Sequence, residues 1–224
     1  MMADSGASQN EAERHWDAAY LSRGHAGVSW FQPAATVSVA LIRHLAVPKE
    51  AAIIDIGGGA SHLVDALVTD GFSDVTVLDI SSVALGTLRE RLDEAAPVTL
   101  VHADLLSWKP TRQFDVWHDR AVFHFLVDKD ARKRYLEAFH LALRSGGTAI
   151  VGTFASDGPE YCSGLPVARY TPDELSSALG DDLVVVAEKR EEHITPAGVT
   201  QPFTWVAARR WGLGKGTVKA SGPF

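Results

Sequence analysis

The 224-residue sequence has a single cysteine, no long apolar run and no excess of positive charge. Cys162 alone cannot form an internal disulfide, and it offers no paired-cysteine metal motif. The longest stretch without Lys, Arg, Asp or Glu, residues 24–42, is interrupted by His25, Gln32 and Pro33, unlike the ~20 apolar residues that span a bilayer. We therefore expect no transmembrane helix and no membrane partner.

Basic residues are outnumbered, with 21 Lys and Arg against 28 Asp and Glu and a formal net charge of −7. Nucleic-acid binding normally needs a basic face that releases counterions, so we expect no nucleic-acid partner. The N-terminal segment also lacks the basic region followed by an apolar region that marks a secretory signal. These absences predict a cytoplasmic protein.

Short β-branched runs alternate along the chain with segments of helical period, which is typical of βαβ units and a parallel sheet. The length and the apolar content of 46% fit one core, so we predict a single α/β domain. Within it, residues 1–46 are expected to form an N-terminal lid and helix, 51–210 the core and 211–224 a flexible tail. The predicted strands are residues 51–54, 75–78, 97–101, 114–118, 148–154, 183–189 and 203–210.

The first predicted strand runs into a glycine-rich turn, Asp55-Ile-Gly57-Gly-Gly59-Ala-Ser61. Glycine lets the backbone approach a ligand closely and adopt a positive φ. A dinucleotide fingerprint would need its last glycine at His62, whose side chain blocks close helix-strand packing, so an NAD site is disfavoured. A tight turn without a ligand is the alternative that this motif alone leaves open.

Two more carboxylates follow the next two predicted strands. Asp79 stands 22 positions after Gly57, where an acidic residue can accept hydrogen bonds from both hydroxyls of a ribose. Asp104 follows the third strand. Each aspartate alone could be a solvated loop residue or a helix cap. Three carboxylates after three successive strands predict a ligand site, because ligands of open α/β sheets bind at the carboxyl ends of the strands.

This pattern resembles motif I of class I S-adenosylmethionine-dependent methyltransferases, with Ser61 at its third glycine. The resemblance covers about residues 15–210 and includes FDVWHDRAVFHF and LRSGG. It implies a Rossmann-like, doubly wound, seven-stranded, mostly parallel sheet with the last strand antiparallel, and S-adenosyl-L-methionine as the cofactor. The cofactor-binding residues that it implies in the core are Asp55, Gly57, Gly59, Asp79, Ile80, Asp104, Leu105 and His118.

Within that family, His15-Trp16-x-x-x-Tyr20, VSWFQ and the dipeptide Asp119-Arg120 are similar to the thiopurine, tellurite and thiol methyltransferase group. The similarity implies a small-molecule acceptor with a thiol or another soft nucleophile, in a monomer or homodimer. Aromatic rings favour the sulfonium cation, and the candidates for an aromatic lid over the cofactor are Trp16, Tyr20, Trp30 and Phe31. Packing of these rings in the core is the alternative that stays open.

We expect the acceptor pocket between residues 118–124, the loop at 157–167 and His193. The expected catalytic residues are Asp119, Arg120 and His124, with His124 as the base because an unperturbed imidazole, pKa about 6.5, is largely neutral at pH 7. Tyr161, Cys162 and His193 are the expected substrate-binding residues. No close spacing of Cys162, His124 and His193 indicates a metal site.

Two alternatives stay open at this point. A protein lysine methyltransferase would carry Asp-Lys-Gly-x-x-Asp after the fourth strand, and the present Asp119-Arg-Ala-Val-Phe-His124 departs at the final position. The other alternative is a non-catalytic partner subunit that keeps the cofactor pocket. An enzyme that methylates nucleic-acid amino groups is disfavoured, because the chain lacks the Asn/Asp-Pro-Pro-Tyr/Phe sequence of that group.

Overall fold

The computed structural model describes residues 5–211, with side chains from residue 11 onward. Its centre is a seven-stranded sheet in the order β3-β2-β1-β4-β5-β9-β8. β1 to β5 are parallel, whereas β9 runs antiparallel to both β5 and β8, which confirms the predicted fold class. The sheet strands are β1 (Ile53–Ile56), β2 (Val75–Asp79), β3 (Val98–His102), β4 (Phe114–Arg120), β5 (Leu143–Phe154), β8 (Leu183–Ile194) and β9 (Thr200–Arg210), and β6 (Tyr161–Cys162) pairs with β7 (Leu165–Pro166) in a separate hairpin.

Helices cover both faces of the sheet, which explains why the central strands are continuous apolar runs. Alternate residues of β1 enter different cores: Ile53 packs in one core and Ile54 in the other. The first core also receives residues of α2, α3 and α4, and the second those of α5 and α6. The helices are α1 (Ser5–Arg23), α2 (Thr36–His44), α3 (Leu63–Thr69), α4 (Ser82–Arg91), α5 (Lys129–Ala142) and α6 (Pro172–Leu179), with a 3-10 turn at Phe123–Phe125.

Side-chain caps begin three of these helices. Ser81 accepts a hydrogen bond from the amide of Ala84 at the start of α4, and Asp128 caps α5. Thr171 and Glu174 form a capping box before α6. Oxygen side chains at these positions accept from first-turn amides that otherwise have no partner in the helix.

Two boundaries differ from the sequence-based expectation. Helix α5 ends at Ala142 and β5 begins at once at Leu143, so the strand includes Gly146 and Gly147 and starts five residues before the predicted position 148. The loop at 157–167 contains the hairpin β6–β7, which the sequence did not predict. The predicted tail, apart from Trp211, lies outside the described residues, as do residues 1–4. Among the described helices, none is long and apolar enough to cross a membrane.

The chain order places a topological switch at the carboxyl ends of β1 and β4. From β1 the chain moves to β2 and β3 on one side, then returns to β4 on the other. Parallel pairing sets Asp55 beside His118 and Ile56 beside Asp119. Ligands of doubly wound sheets bind in the crevice at this point, so these strand ends are where a site is expected.

Candidate active site

The glycine-rich turn after β1 forms a close-packed loop. Gly57 and Gly59 have φ values of +61° and +47°, in the left-handed region that favours glycine. A Cβ on Gly57 would stand 2.2 Å from Val122, and one on Gly59 would stand 2.6 Å from the hydroxyl of Tyr20. The loop therefore tolerates no side chain at these positions, and its backbone borders a cavity.

That cavity has a volume of about 250 Å³ and lies over the carboxyl ends of the parallel strands. Asp79, Ile80, Asp104 and Leu105 line it from the ends of β2 and β3. The amide of Ser81 donates to Asp79 Oδ1 over 2.7 Å, and the amide of Leu106 donates to Asp104 Oδ1 over 2.9 Å. Both carboxylates are thus held in place by the turns that follow the strands.

Burial raises the pKa of Asp79 to about 6, and the nearby carboxylate of Asp55 acts in the same direction. Hydrogen bonds from the amides of Ser81 and Gly59 oppose this shift. A buried carboxylate gains most from a ligand that donates hydrogen bonds to it, because such a ligand replaces lost hydration. Asp79 is accordingly suited to a ligand that bears hydroxyl groups.

The N-terminal segment, residues 11–31, covers this cavity with three aromatic side chains. Trp16, Tyr20 and Trp30 all line it, and Trp30 Nε1 donates a hydrogen bond to the hydroxyl of Tyr20 over 3.1 Å. Trp30 also meets Trp16 and Tyr20 edge to face at centroid distances of 5.6 and 5.7 Å. These contacts give the cavity a roof of mutually packed rings.

The same segment is attached to the core by Asp17. Its carboxylate accepts hydrogen bonds from the hydroxyls of Ser81 and Ser82 and from the amide of Val83, at distances of 2.6 to 3.2 Å. These groups begin α4, where a negative charge also interacts favourably with the helix dipole. Helix α1 is therefore fixed to the edge of the cavity at its middle.

A second, smaller cavity of about 60 Å³ adjoins the first, since both are lined by Tyr20, Trp30, Gly57 and Arg120. Its remaining wall includes three buried polar side chains connected to one another. His118 Nδ1 lies 2.7 Å from Asp55 Oδ1, and His118 Nε2 lies 2.9 Å from Ser38 Oγ. Ser38 comes from α2 and was not recognised in the sequence, although it is the one serine in an otherwise largely apolar helix.

Arg120 stands where the two cavities meet. Its Nη1 donates to the carbonyl of Trp30 over 3.0 Å, and its guanidinium lies over the ring of Phe203 at 4.6 Å. The Nε and Nη2 atoms are buried and have no hydrogen-bond partner among the described residues. Burial lowers the pKa of Arg120, an effect that Glu191 opposes. Two unused donors on a half-buried cation form a binding position for an anion.

Asp119, in contrast, faces away from both cavities. The side chain is fully buried, and its carboxylate accepts hydrogen bonds from the amides of Val122 and Phe123 and from the hydroxyl of Tyr135. Burial raises its pKa to about 6. The expectation that Asp119 is catalytic does not fit these contacts. Asp119 shapes the turn after β4, in which Ala121 has a φ of 70°.

The expectation that His124 is the base does not fit its surroundings. It is fully buried and lines neither cavity, and its Nδ1 accepts a hydrogen bond from the amide of Phe154 over 3.3 Å. Burial lowers its pKa to about 3. The imidazole packs between aromatic rings, with Phe125 and Phe154 at centroid distances of 4.5 and 4.7 Å. Its role is in the core.

Of the three expected substrate-binding residues, one lines a cavity and two do not. Cys162 is buried and lines the larger cavity, so its contact with an acceptor stays a prediction. Tyr161 is 63% exposed and lines neither cavity. His193 likewise lines neither cavity. Its Nε2 donates to the carbonyl of Ser29 over 2.7 Å, which connects β8 to the N-terminal segment. The assignments of Tyr161 and His193 to the pocket wall are therefore corrected.

Several apolar lining residues were not singled out individually, although two of them lie in the ranges 118–124 and 157–167 where the acceptor pocket is expected. They come from the turn after β4 and from the hairpin β6–β7. They are Val122, Phe125, Leu126 and Leu165.

Comparison with known proteins finds similarity to methyltransferases. Residues 53–147 match the profile of a methyltransferase domain family. No curated protein sequence matches the chain. Among solved structures, a protein described for the conversion of a disulfide bond into a thioacetal group during echinomycin biosynthesis is similar, with 18% identity, a TM-score of 0.71, and coverage of 91% of this chain and 93% of that one.

Two further structures have the same fold. A 1,6-didemethyltoxoflavin-N1-methyltransferase of Burkholderia thailandensis with bound S-adenosylhomocysteine has 22% identity and a TM-score of 0.67, with 91% of this chain and 90% of that one covered. Magnesium protoporphyrin IX methyltransferase of Synechocystis with bound S-adenosylmethionine has 14% identity and a TM-score of 0.68, with 94% and 99% covered. The close-packed glycine loop and the buried carboxylate of Asp79 at the larger cavity fit this cofactor. The chain is thus similar to methyltransferase domains over residues 53–147, the segment that holds the glycine-rich turn and Asp79.

Proposed function

We propose that the protein transfers a methyl group to a small molecule whose nucleophile is an anionic soft atom, foremost a thiolate. The observation that carries this proposal is Arg120, a half-buried cation at the junction of the two cavities whose buried Nε and Nη2 have no hydrogen-bond partner among the described residues. The cofactor supplies the methyl group as a sulfonium. A second cation beside a sulfonium is unfavourable unless anions lie between or next to them. Glu191 and Asp55 interact with Arg120 in this sense, and an anionic acceptor that reaches its two free donors adds to them.

The residues around the cofactor have separate roles in this proposal. Asp79 binds the ribose hydroxyls, and Asp104 and Leu105 border the adenine. Trp16, Tyr20 and Trp30 enclose the sulfonium end and exclude water. Positioning of this kind is the main contribution a protein makes to an in-line displacement with a neutral leaving group.

Most of the groups that could act as a general base in the two cavities are engaged or lie away from Arg120. The carboxylates that line the larger cavity, Asp79 and Asp104, lie at the ends of β2 and β3, away from β4. In the smaller cavity, His118 and Asp55 are hydrogen-bonded to each other.

His25 also lines the smaller cavity, where its ring contacts Phe31 and His62, and an acceptor that must lose a proton during transfer depends on this imidazole. A thiol, with a pKa of about 8.5, is partly ionised at pH 7, and a neighbouring guanidinium increases the thiolate fraction.

A lysine side chain is a poor acceptor for this site. Its ammonium group must lose a proton before it can accept a methyl group, and the guanidinium of Arg120 repels the charged form. A sulfur acceptor is also in keeping with the structural neighbour described for converting a disulfide bond into a thioacetal group. The alternative of a non-catalytic partner subunit predicts cofactor binding without transfer to any acceptor.

Arg120→Met is expected to lower kcat/KM for a thiol acceptor by about 10²-fold or more, because an anion then enters a buried site without a partner. The affinity for S-adenosylhomocysteine should stay within about threefold, and Arg120→Lys should retain an intermediate rate because it keeps the charge but not the planar fork. Steady-state kinetics and calorimetry check these values. An equal loss of S-adenosylhomocysteine affinity would assign Arg120 to the cofactor, and methylation of a lysine peptide in place of thiols would overturn the acceptor class.

A further inference from the structure

We infer that Glu191 is a positioning residue that holds the aromatic roof closed over the larger cavity through its hydrogen bond to Gln32. Glu191 lines neither cavity and acts through the loop that carries Trp30. The inference rests on the cofactor cavity and its roof, and it goes beyond the proposed methyl transfer because it holds for any acceptor.

The loop that has to be held is residues 29–32, which we call the roof loop. It carries Trp30, the ring that lines both cavities, and it forms neither a helix nor a strand. Among the described residues, its one backbone-to-backbone hydrogen bond runs from the amide of Phe31 to the carbonyl of Val28, over 3.1 Å. A segment with so few backbone hydrogen bonds opens easily, so side chains of the core decide its position.

Two side chains of β8 reach the roof loop from the sheet. Glu191 Oε1 accepts a hydrogen bond from Gln32 Nε2, and His193 Nε2 donates to the carbonyl of Ser29 over 2.7 Å. Glu191 and His193 are alternate residues of one strand and therefore lie on the same face of the sheet. The roof loop thus lies across this face and is bound at both of its ends.

The carboxylate of Glu191 is itself fixed from the core. Trp205 Nε1 donates to Glu191 Oε2 over 2.8 Å, and Trp205 is a fully buried residue of β9. The two carboxylate oxygens therefore join a core indole on one side to the side-chain amide of Gln32 on the other. Hydrogen bonds to an ionised acceptor are stronger than those between neutral groups, so this bridge contributes more to the position of the roof loop than the backbone bond within it.

Arg120 also contacts the roof loop but is less suited to holding it. Its Nη1 donates to the carbonyl of Trp30 over 3.0 Å, while its Nε and Nη2 have no partner among the described residues and are available to a ligand. The charge of Glu191 stabilises the guanidinium, because it opposes the lowering of the Arg120 pKa by burial. No ion pair among the described residues joins the two side chains, so Glu191 keeps its oxygens for Trp205 and Gln32.

Loss of the carboxylate is expected to open the roof locally. Gln32 then has no acceptor on β8, and Trp30 moves with the roof loop away from the cavity, whereas the strands keep their pairing. An open roof exposes the bound cofactor to water and shortens its residence time. The consequence is faster cofactor release from a site that Glu191 does not touch.

Hydrogen exchange of the full chain, followed by mass spectrometry, tests this role without any methyl acceptor. Glu191→Met keeps a side chain of similar length but removes the carboxylate. We expect the amides of residues 24–35 to exchange about tenfold faster than in the wild type, as the loss of a hydrogen bond to a charged group implies. The amides of β1 and β4 should stay within about twofold of the wild-type rate. S-adenosylhomocysteine should dissociate about tenfold faster in a stopped-flow measurement.

Glu192→Met is the matched control, since the next residue of β8 lies on the opposite face, where Glu192 Oε1 accepts from Arg190 Nε over 2.7 Å. We expect it to leave both rates within about twofold of the wild type. Gln32→Met removes the same hydrogen bond from the loop side and leaves Trp205 its partner, so it covers the case in which Glu191→Met does not fold. It should also raise exchange and release about tenfold.

Reversal of the pair distinguishes a bond between these two side chains from a general weakening of β8. Gln32→Glu alone places two carboxylates opposite each other and should raise the exchange of residues 24–35 by about tenfold or more. With Glu191→Gln added, the introduced amide donates to the introduced carboxylate, and its oxygen accepts from Trp205. Both rates should then return to within about threefold of the wild type.

Unchanged exchange of residues 24–35 in Glu191→Met or Gln32→Met would overturn the role of Glu191. A reversed pair that exchanges as fast as Gln32→Glu would do the same, as would exchange that rises equally in β1 and β4. Failure to methylate thiols, in contrast, would overturn the proposed function alone, because neither measurement contains a methyl acceptor.

Discussion

Asp79→Asn is expected to weaken binding of S-adenosylhomocysteine by about 10- to 100-fold. The carboxylate can accept both ribose hydroxyls, whereas the amide offers one acceptor oxygen and presents donors to the second hydroxyl. The loss corresponds to about 1.5 to 3 kcal/mol, the usual contribution of hydrogen bonds to a charged group. Calorimetric titration at pH 7 measures the effect, and unchanged affinity would show that Asp79 does not contact the ligand.

The buried carboxyl group of Asp79 also predicts how the affinity for the cofactor depends on pH. Burial raises the pKa of Asp79 to about 6, so the carboxyl group is ionised above that pH and protonated below it. The ionised form is the one that accepts two hydroxyls, and cofactor affinity should therefore fall by up to about tenfold per pH unit as the pH drops below 6. Asp79→Asn should lack this dependence between pH 5 and 7.

Asp119→Asn provides the matched control for this titration. The pKa of Asp119 is also raised to about 6 by burial, but Asp119 lines neither cavity. We expect this variant to keep the pH dependence of cofactor binding. If Asp119→Asn removes it and Asp79→Asn does not, the titrating group has been wrongly assigned.

Removal of residues 1–31 is expected to reduce turnover to below about 1% while the sheet stays folded. The deletion takes away Trp16, Tyr20 and Trp30 and opens the larger cavity to water, and it also removes the carbonyl that accepts from Arg120. Turnover and far-ultraviolet circular dichroism measure the two parts of this expectation. The β-strands do not depend on this segment for their pairing.

A point variant tests the same role of the segment if the shortened chain does not fold. Trp30→Ala removes one ring from the roof and should lower kcat by at least about tenfold, since water then reaches the transfer site. Leu21→Ala is the control on the same segment, because Leu21 is 72% exposed and lines neither cavity. Full activity in the truncated protein and in Trp30→Ala would refute the role of the segment as a cover.

Short sequence patterns predict most of the sheet and the part of the site that is assigned to the cofactor. Unbroken apolar runs located the central strands, and Gly57 and Gly59 have the positive φ values that the motif requires. Asp79 and Asp104 could be placed because the carboxyl end of every parallel strand lies at one edge of the sheet. Each of these signals is contained in a few adjacent residues.

The acceptor half depends on tertiary contacts that no short segment contains. Asp119, Arg120 and His124 lie within six residues, yet the turn at Ala121 directs only Arg120 into the cavities. Asp119 instead accepts a hydrogen bond from Tyr135 of α5, and His124 accepts one from the amide of Phe154 on β5. Ser38 lies within hydrogen-bond distance of His118, which is eighty positions away in the sequence. Spacing cannot reveal such pairings.

The most direct test of the central claim is a mass-spectrometric transfer assay with S-adenosylmethionine that carries a deuterated methyl group. The acceptors are an aryl thiol, the matching aryl amine and a lysine-containing peptide, each offered to the full-length protein at pH 7. We predict a labelled methyl group on the thiol sulfur, formation of S-adenosylhomocysteine in equal amount, and no label on the amine or the peptide. Label on the peptide or the amine but not on the thiol, or cofactor binding without transfer to any acceptor, would contradict the account.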